Sequence, residues 1–156
     1  MTSDVENPSF TFRLERVRSL RERAEEAARE ELARELSHRV RGEALLRQAT
    51  TAVSAARDTG RDTVLKSGAS GADLLAVQAW MERAELRRLD AVAHLDQRDA
   101  EVARTRAALT EAARDREVIE RLKRKRRADH DAEVLRRAQI VLDEVALNVH
   151  RRRAAA

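Results

Sequence analysis

R-D-T-G-R-D-T-V-L-K-S-G-A-S-G, residues 57–71, is the stretch that decides the fold. It holds Gly60, Gly68 and Gly71, three of the chain's four glycines, among Ser, Thr and Asp, which is the composition of a turn. On either side the chain reads as amphipathic helix, because apolar residues recur three and four apart from Phe10 to this break and from Asp73 to His150. Two long amphipathic helices joined by one turn must lie antiparallel to bury their stripes on each other. The expected fold is all-α, a long antiparallel two-helix coiled-coil hairpin. Its parts are helix 1 over about 10–57, a turn over 58–72 with room for a short helical piece at Thr63–Lys66, helix 2 over 73–150, and flexible ends at 1–9 and 151–156.

Helix 1 has its apolar positions at Leu14, Val17, Leu20, Ala24, Ala28, Leu32, Leu36, Val40, Ala44, Ala49, Val53 and Ala56, spaced mostly by four. That is looser than a strict heptad and predicts a gently twisted pairing. Arg18, Arg21, Glu22, Glu25, Glu26 and Arg29 form its expected solvent face, with opposite charges four apart as in Glu25–Arg29. Pro8 and Ser9 supply a start signal, with the helix beginning near Thr11. Helix 2 carries a cleaner heptad: Leu74, Val77, Met81, Ala84, Ala91, Leu95, Val102, Leu109, Ala112 and Ile119. Arg88, Arg98 and Arg116 fall in the same stripe and are expected to bury their stems while keeping their charge wet. Helix 2 is the longer, so about 30 C-terminal residues extend past helix 1. They still carry a stripe at Val134, Leu135, Ala138, Leu142, Val145 and Val149, and an exposed stripe implies a partner.

Composition narrows the function. Charged residues make up 38 % and aromatics 2 %, so the chain cannot fill a thick core, and the Ala, Glu, Leu and Arg bias is that of long helices. With no Cys there is neither a disulfide nor a thiolate metal site, and the four His are scattered, with no ligand spacing. No phosphate loop or nucleophile motif occurs. The expectation is a non-enzymatic protein with no cofactor, no metal and no small-molecule substrate. The N-terminus lacks the basic and apolar regions of a secretory signal, and no apolar run approaches a membrane span, so a cytosolic location is expected.

Charge is unevenly placed. Residues 121–156 carry 11 basic and 5 acidic side chains, against near balance elsewhere. The densest cluster is R-L-K-R-K-R-R: Arg121, Leu122, Lys123, Arg124, Lys125, Arg126 and Arg127. It is either a solvated helix face or a contact for an acidic surface. Nucleic acid is the alternative to protein here, as is a plain scaffold coiled coil, but no aromatic platform lies near the run for bases to stack on. Trp80 stands beside the core position Met81, as a core-edge ring or a partner-binding anchor. Phe10 and Phe12 flank the start of helix 1, as a staple on the helix end or a docking tip.

Two stretches resemble a known family. F-T-F-R-L-E-R-V-R-S-L-R-E (Phe10–Glu22), followed by an Ala/Glu-rich helix, resembles the start of FliJ, the flagellar type III export protein. Arg116–Ala146, where a basic Leu-Lys run precedes a charged helix and the Asp143–Glu144 pair, resembles the family's C-terminal half. The resemblance implies an antiparallel coiled coil like the central stalk of rotary ATPases, acting in flagellum biogenesis and so in motility and chemotaxis. It implies three partners: the hexameric export ATPase, whose ring it enters and helps assemble, the cytoplasmic domain of the export-gate membrane protein, and export chaperones. It also implies a cytoplasmic protein held peripherally at the inner membrane at the flagellar base. By the same resemblance, Phe10, Phe12, Leu14, Arg121 and Lys123 to Arg127 would meet the ATPase, and Leu46, Val53, Trp80 and Ala84 the gate. The family has aromatics on both helices of the gate surface. Trp80 matches the one on the second helix, while Ala49, Ala52 and Val53 stand where the first would be.

Overall fold

The computed structural model describes residues 9–66 and 68–154. Those residues form two long helices packed on each other and, among them, no strand: α1 at Glu15–Leu65 and α2 at Gly71–Ala154. The expected all-α hairpin is what forms. Pro8 and residues 1–8 and 155–156 lie outside the described residues, and residues 151–154 continue α2 rather than fraying from it.

Both ends of the connection are fixed by local chemistry. Ser70 caps α2: its Oγ accepts from the Asp73 N–H at 3.2 Å, and the Asp73 carboxylate accepts from the Ser70 N–H at 2.9 Å and from its hydroxyl at 2.7 Å. This reciprocal arrangement satisfies donors that the first turn leaves open. It also holds the Asp73 carboxyl below its ordinary pKa, mainly through the Ser70 hydroxyl. Gly68 has φ +96°, a left-handed conformation that glycine adopts without strain. The turn expected over 58–72 is thus shorter, because α1 continues through Gly60 to Leu65. Gly60 serves a close approach and not a bend: a Cβ there would lie 3.0 Å from Val77 Cγ1 and 3.2 Å from Met81 Sδ.

α1 also begins later than Thr11. The Glu15 N–H bonds the Phe12 carbonyl at 3.1 Å, and a turn at residues 13–14 precedes the helix. Glu15 in the first turn favours the positive end of the helix dipole. Ser9 is not the cap, because the segment from Phe10 to Phe12 packs on α2, as described below.

The chain divides into two compact units, Glu25–Ala112 and the remainder, residues 1–24 with 113–156. In the first, the helices run antiparallel, with Gly60 against Val77 and Gly42 against Leu95. Its seam on α1 is Ala28, Leu32, Glu35, Arg39, Gly42, Leu46, Ala49, Val53, Ala56 and Gly60, alternately four and three apart. That is a strict heptad, and it corrects the looser stripe drawn from apolar residues alone. Leu36 and Val40 are exposed, as are Ala24 and Ala44. Four residues advance a helix by about 400°, so a run of fours drifts about 40° per step and leaves the seam. Glu25, expected on the solvent face, is buried, and its partner Arg29 stays exposed. The α2 stripe fits better. Ala84, Val102 and Thr105 are buried, and Val77, Ala91, Leu95, Leu109 and Ala112 are half-buried. Leu74 and Met81, at the turn end, stay exposed. Arg98 lies half-buried with its Nη1 3.5 Å from Glu35, and Arg88 bonds Glu85 at 2.7 Å, so both keep charged partners at the edge of the seam. The core cluster is Val53, Ala56 and Ala84, and no large side chain among the described residues is fully buried.

In the second unit, Glu15, Arg18 and Arg21 on α1 face Lys123, Glu120 and Asp115 on α2, again antiparallel. Beyond Val134, every described residue of α2 is exposed.

Candidate partner-binding surfaces

The terminal unit is built around Phe10, Phe12 and one face of α2. The Phe10 ring meets the His130 imidazole edge-on with centroids 5.6 Å apart, an aromatic geometry favoured by ring quadrupoles. Lys123 Nζ stands 5.9 Å from the Phe12 ring centre and bonds the Glu15 carboxylate at 2.9 Å. A surface pocket of about 490 Å³ is lined by Phe10, Phe12, Leu14, Leu122, Arg126 and His130. Residues more than a hundred positions apart are thereby brought together, and the two Phe act across the unit instead of stapling their own helix.

The basic run divides into engaged and open charges. Arg121 bonds Glu117 at 2.6 Å, Lys123 holds Glu15, and Arg127 stands 4.0 Å from Asp131. Arg124, Lys125 and Arg126 are exposed and enter no ion pair among the described residues. Arg18 is the hub opposite them, bonding Glu15 at 2.7 Å, Glu22 at 2.5 Å and Glu120 at 2.9 Å. These contacts raise the Arg18 pKa, with Glu120 the largest cause. They hold Glu15 and Glu120 below the ordinary glutamate value, through Lys123 and Arg18 respectively.

In the other unit, the candidate gate residues separate. Val53 and Ala84 are core, 6 % and 4 % exposed, so no partner touches them while the seam is closed. They are structural residues, a correction that follows from the heptad. Leu46 is half-buried on the same seam. Trp80 lies off it and is exposed.

A family model described as the flagellar FliJ protein matches residues 10–155. The chain belongs to the FliJ family. No curated protein and no solved structure matches it. Membership of the FliJ family makes it a component of flagellar protein export. Among the described residues no helix is long and apolar enough to cross a membrane.

Two features of this FliJ-family chain escape a reading of its sequence. His130 closes the aromatic pocket, and its Nε2 is shielded from solvent with no hydrogen-bond partner among the described residues. The signal was its place seven residues after Lys123, on the same helix face. The second is an apolar groove of about 540 Å³ beside the connection, lined by Gly60, Val64, Leu65, Leu74, Val77 and Met81. It is invisible while 58–72 is read as a turn.

Proposed function

We propose that this FliJ-family chain is a non-enzymatic stalk that binds the export ATPase hexamer, promotes its ring assembly and couples it to the export gate and to chaperones. The observation that supports this most is the terminal unit, which sets the open cations Arg124, Lys125 and Arg126 beside the Phe10–Phe12–His130 pocket. A basic face with an aromatic anchor suits an acidic, partly apolar protein surface, where charge steers encounter and rings supply affinity. Trp80, exposed on α2, is the gate contact, while Val53 and Ala84 are buried and serve packing. The protein reaches the inner membrane at the flagellar base through these partners.

The test is binding to the cognate ATPase by the Arg124→Glu/Arg126→Glu chain. Affinity is expected to fall at least about tenfold with helicity unchanged, as for loss of two steering contacts. Unchanged binding contradicts the assignment.

A further inference from the structure

The apolar groove beside the connection runs along one edge of each helix. It measures about 540 Å³ and continues into a hollow of about 230 Å³ that shares Arg57, Met81 and Glu82 with it. At 100° per residue, its lining residues Val53, Arg57, Gly60, Arg61 and Val64 share an arc of roughly 100° on α1. Met81, Gln78, Glu82 and Glu85 do the same on α2. From Val53 to Val64 the groove spans about three helical turns, or roughly 16 Å. Gly60 leaves its floor without a side chain on α1, where a Cβ would lie 3.0 Å from Val77. Val64 and Leu65, which line it, are 69 % and 76 % exposed. Trp80 falls roughly 160° from Glu82 around α2, on the other edge of the seam. The groove is therefore not the surface proposed for the gate, and it shares no residue with the terminal pocket.

The walls decide what form of chain fits. Over residues 53–61 and 75–85 both are helix, with N–H and C=O groups already bonded along each helix. An extended peptide laid between them finds no backbone partner, whereas a third helix satisfies its own polar groups and nests between the two. The charges decide its chemistry. On α1, Arg57 and Arg61 are exposed, and neither enters an ion pair among the described residues. On α2 the anions are engaged: Glu82 accepts from Gln78 at 3.1 Å and Glu85 from Arg88 at 2.7 Å. The Arg88 bond is the largest cause of a lowered Glu85 pKa, to which Arg57 adds. Among the lining residues, open positive charge thus lies on the α1 wall, and it suits acidic side chains on the facing edge of an occupant.

We propose that this groove docks an amphipathic helix of a partner protein, about three turns long, with an apolar ridge on the floor and acidic side chains along the edge facing Arg57 and Arg61. Docking takes Val64, Leu74 and Met81 out of water and makes this part of the hairpin a three-helix bundle. It needs neither the ATPase nor the gate contact and is tested without them.

The probes are two labelled synthetic helices of about 15 residues with the same Leu ridge, one carrying Glu and the other Lys along one edge. Fluorescence anisotropy with the full-length chain is expected to show the Glu peptide binding about tenfold tighter than the Lys peptide. Equal affinities, or no binding of either up to about 1 mM, overturn the proposal. Val64→Gln/Leu74→Gln changes two exposed lining residues without adding charge. It should weaken the Glu peptide about tenfold with helicity kept, and an unchanged affinity puts the peptide elsewhere and overturns the site. Arg61→Glu should erase the preference for the Glu peptide; a preference that survives overturns the assigned chemistry. Sedimentation identifies the competing occupant. A doubling of the chain's 17.7 kDa mass that Val64→Gln/Leu74→Gln abolishes would mean that a second copy fills the groove, and would overturn the proposal.

Discussion

Gly42 and Gly60 both occupy the α1 seam, for different reasons. A Cβ at Gly42 would meet Leu95 Cδ1 at 3.4 Å and Arg98 and His94 at 3.8 Å, ordinary contacts with side chains that can yield. At Gly60 the neighbours stand at 3.0 and 3.2 Å. Gly42→Ala is therefore expected to stabilise the protein by about 0.5–1 kcal/mol, the helix propensity difference. Gly60→Leu should destabilise it by about 1–3 kcal/mol through overpacking against Val77. Thermal unfolding followed by circular dichroism checks both, and shifts of the same sign would contradict this account of the seam. Trp80 belongs to the same scale. Because it lies off the seam, Trp80→Ala should reduce gate binding while moving stability by less than about 1 kcal/mol. An equal loss of both would make it a core residue. Single residues were the least legible part of the sequence. Glu25, Glu35 and Arg39 face the seam although their charge says solvent, because long side chains can line a two-helix seam with their heads at its edge.

At the scale of elements, α2 was legible and α1 was not. The α2 seam is mostly Val, Leu and Ala at heptad spacing, so apolarity and register coincide. The α1 seam includes Glu35, Arg39 and Gly42, so apolarity drew the eye to Leu36 and Val40 outside it. The connection was misjudged at one end for a similar reason, since a glycine used for close packing looks like a glycine used for a turn. Beside the Phe10 and Phe12 contacts, the terminal pairing of α1 with α2 is held by solvent-accessible ion pairs, which salt and acid weaken. Glu15 and Glu120 titrate below the ordinary value of 4.5 when folded. Their contribution is complete above that value and is lost as pH falls through the lowered folded value. Amide protection factors over residues 15–24 should therefore fall, relative to those of residues 46–60, on going from pH 7 to about 3. An equal fall in both segments would show that the ion pairs do not hold this end.

For the whole molecule, composition was the strongest guide. A chain with 2 % aromatics builds a seam of Ala and Val in which Ala56 is fully buried, and no large side chain among the described residues is. Few sequences with this bias have any other stable option. Family membership was legible because the stretches that carried it, Phe10–Glu22 and Arg116–Ala146, lie inside the matched residues 10–155. The site was legible in part. The basic run and the two Phe could be named, but their meeting at His130 needed a third dimension. The central claim is that this chain acts on the export motor without chemistry of its own. It is tested most directly by the ATP hydrolysis rate of the cognate export ATPase with and without the protein, with ring formation followed in parallel. Stimulation together with ring assembly is the predicted result. An unchanged rate, with no binding by a folded helical protein, would contradict it.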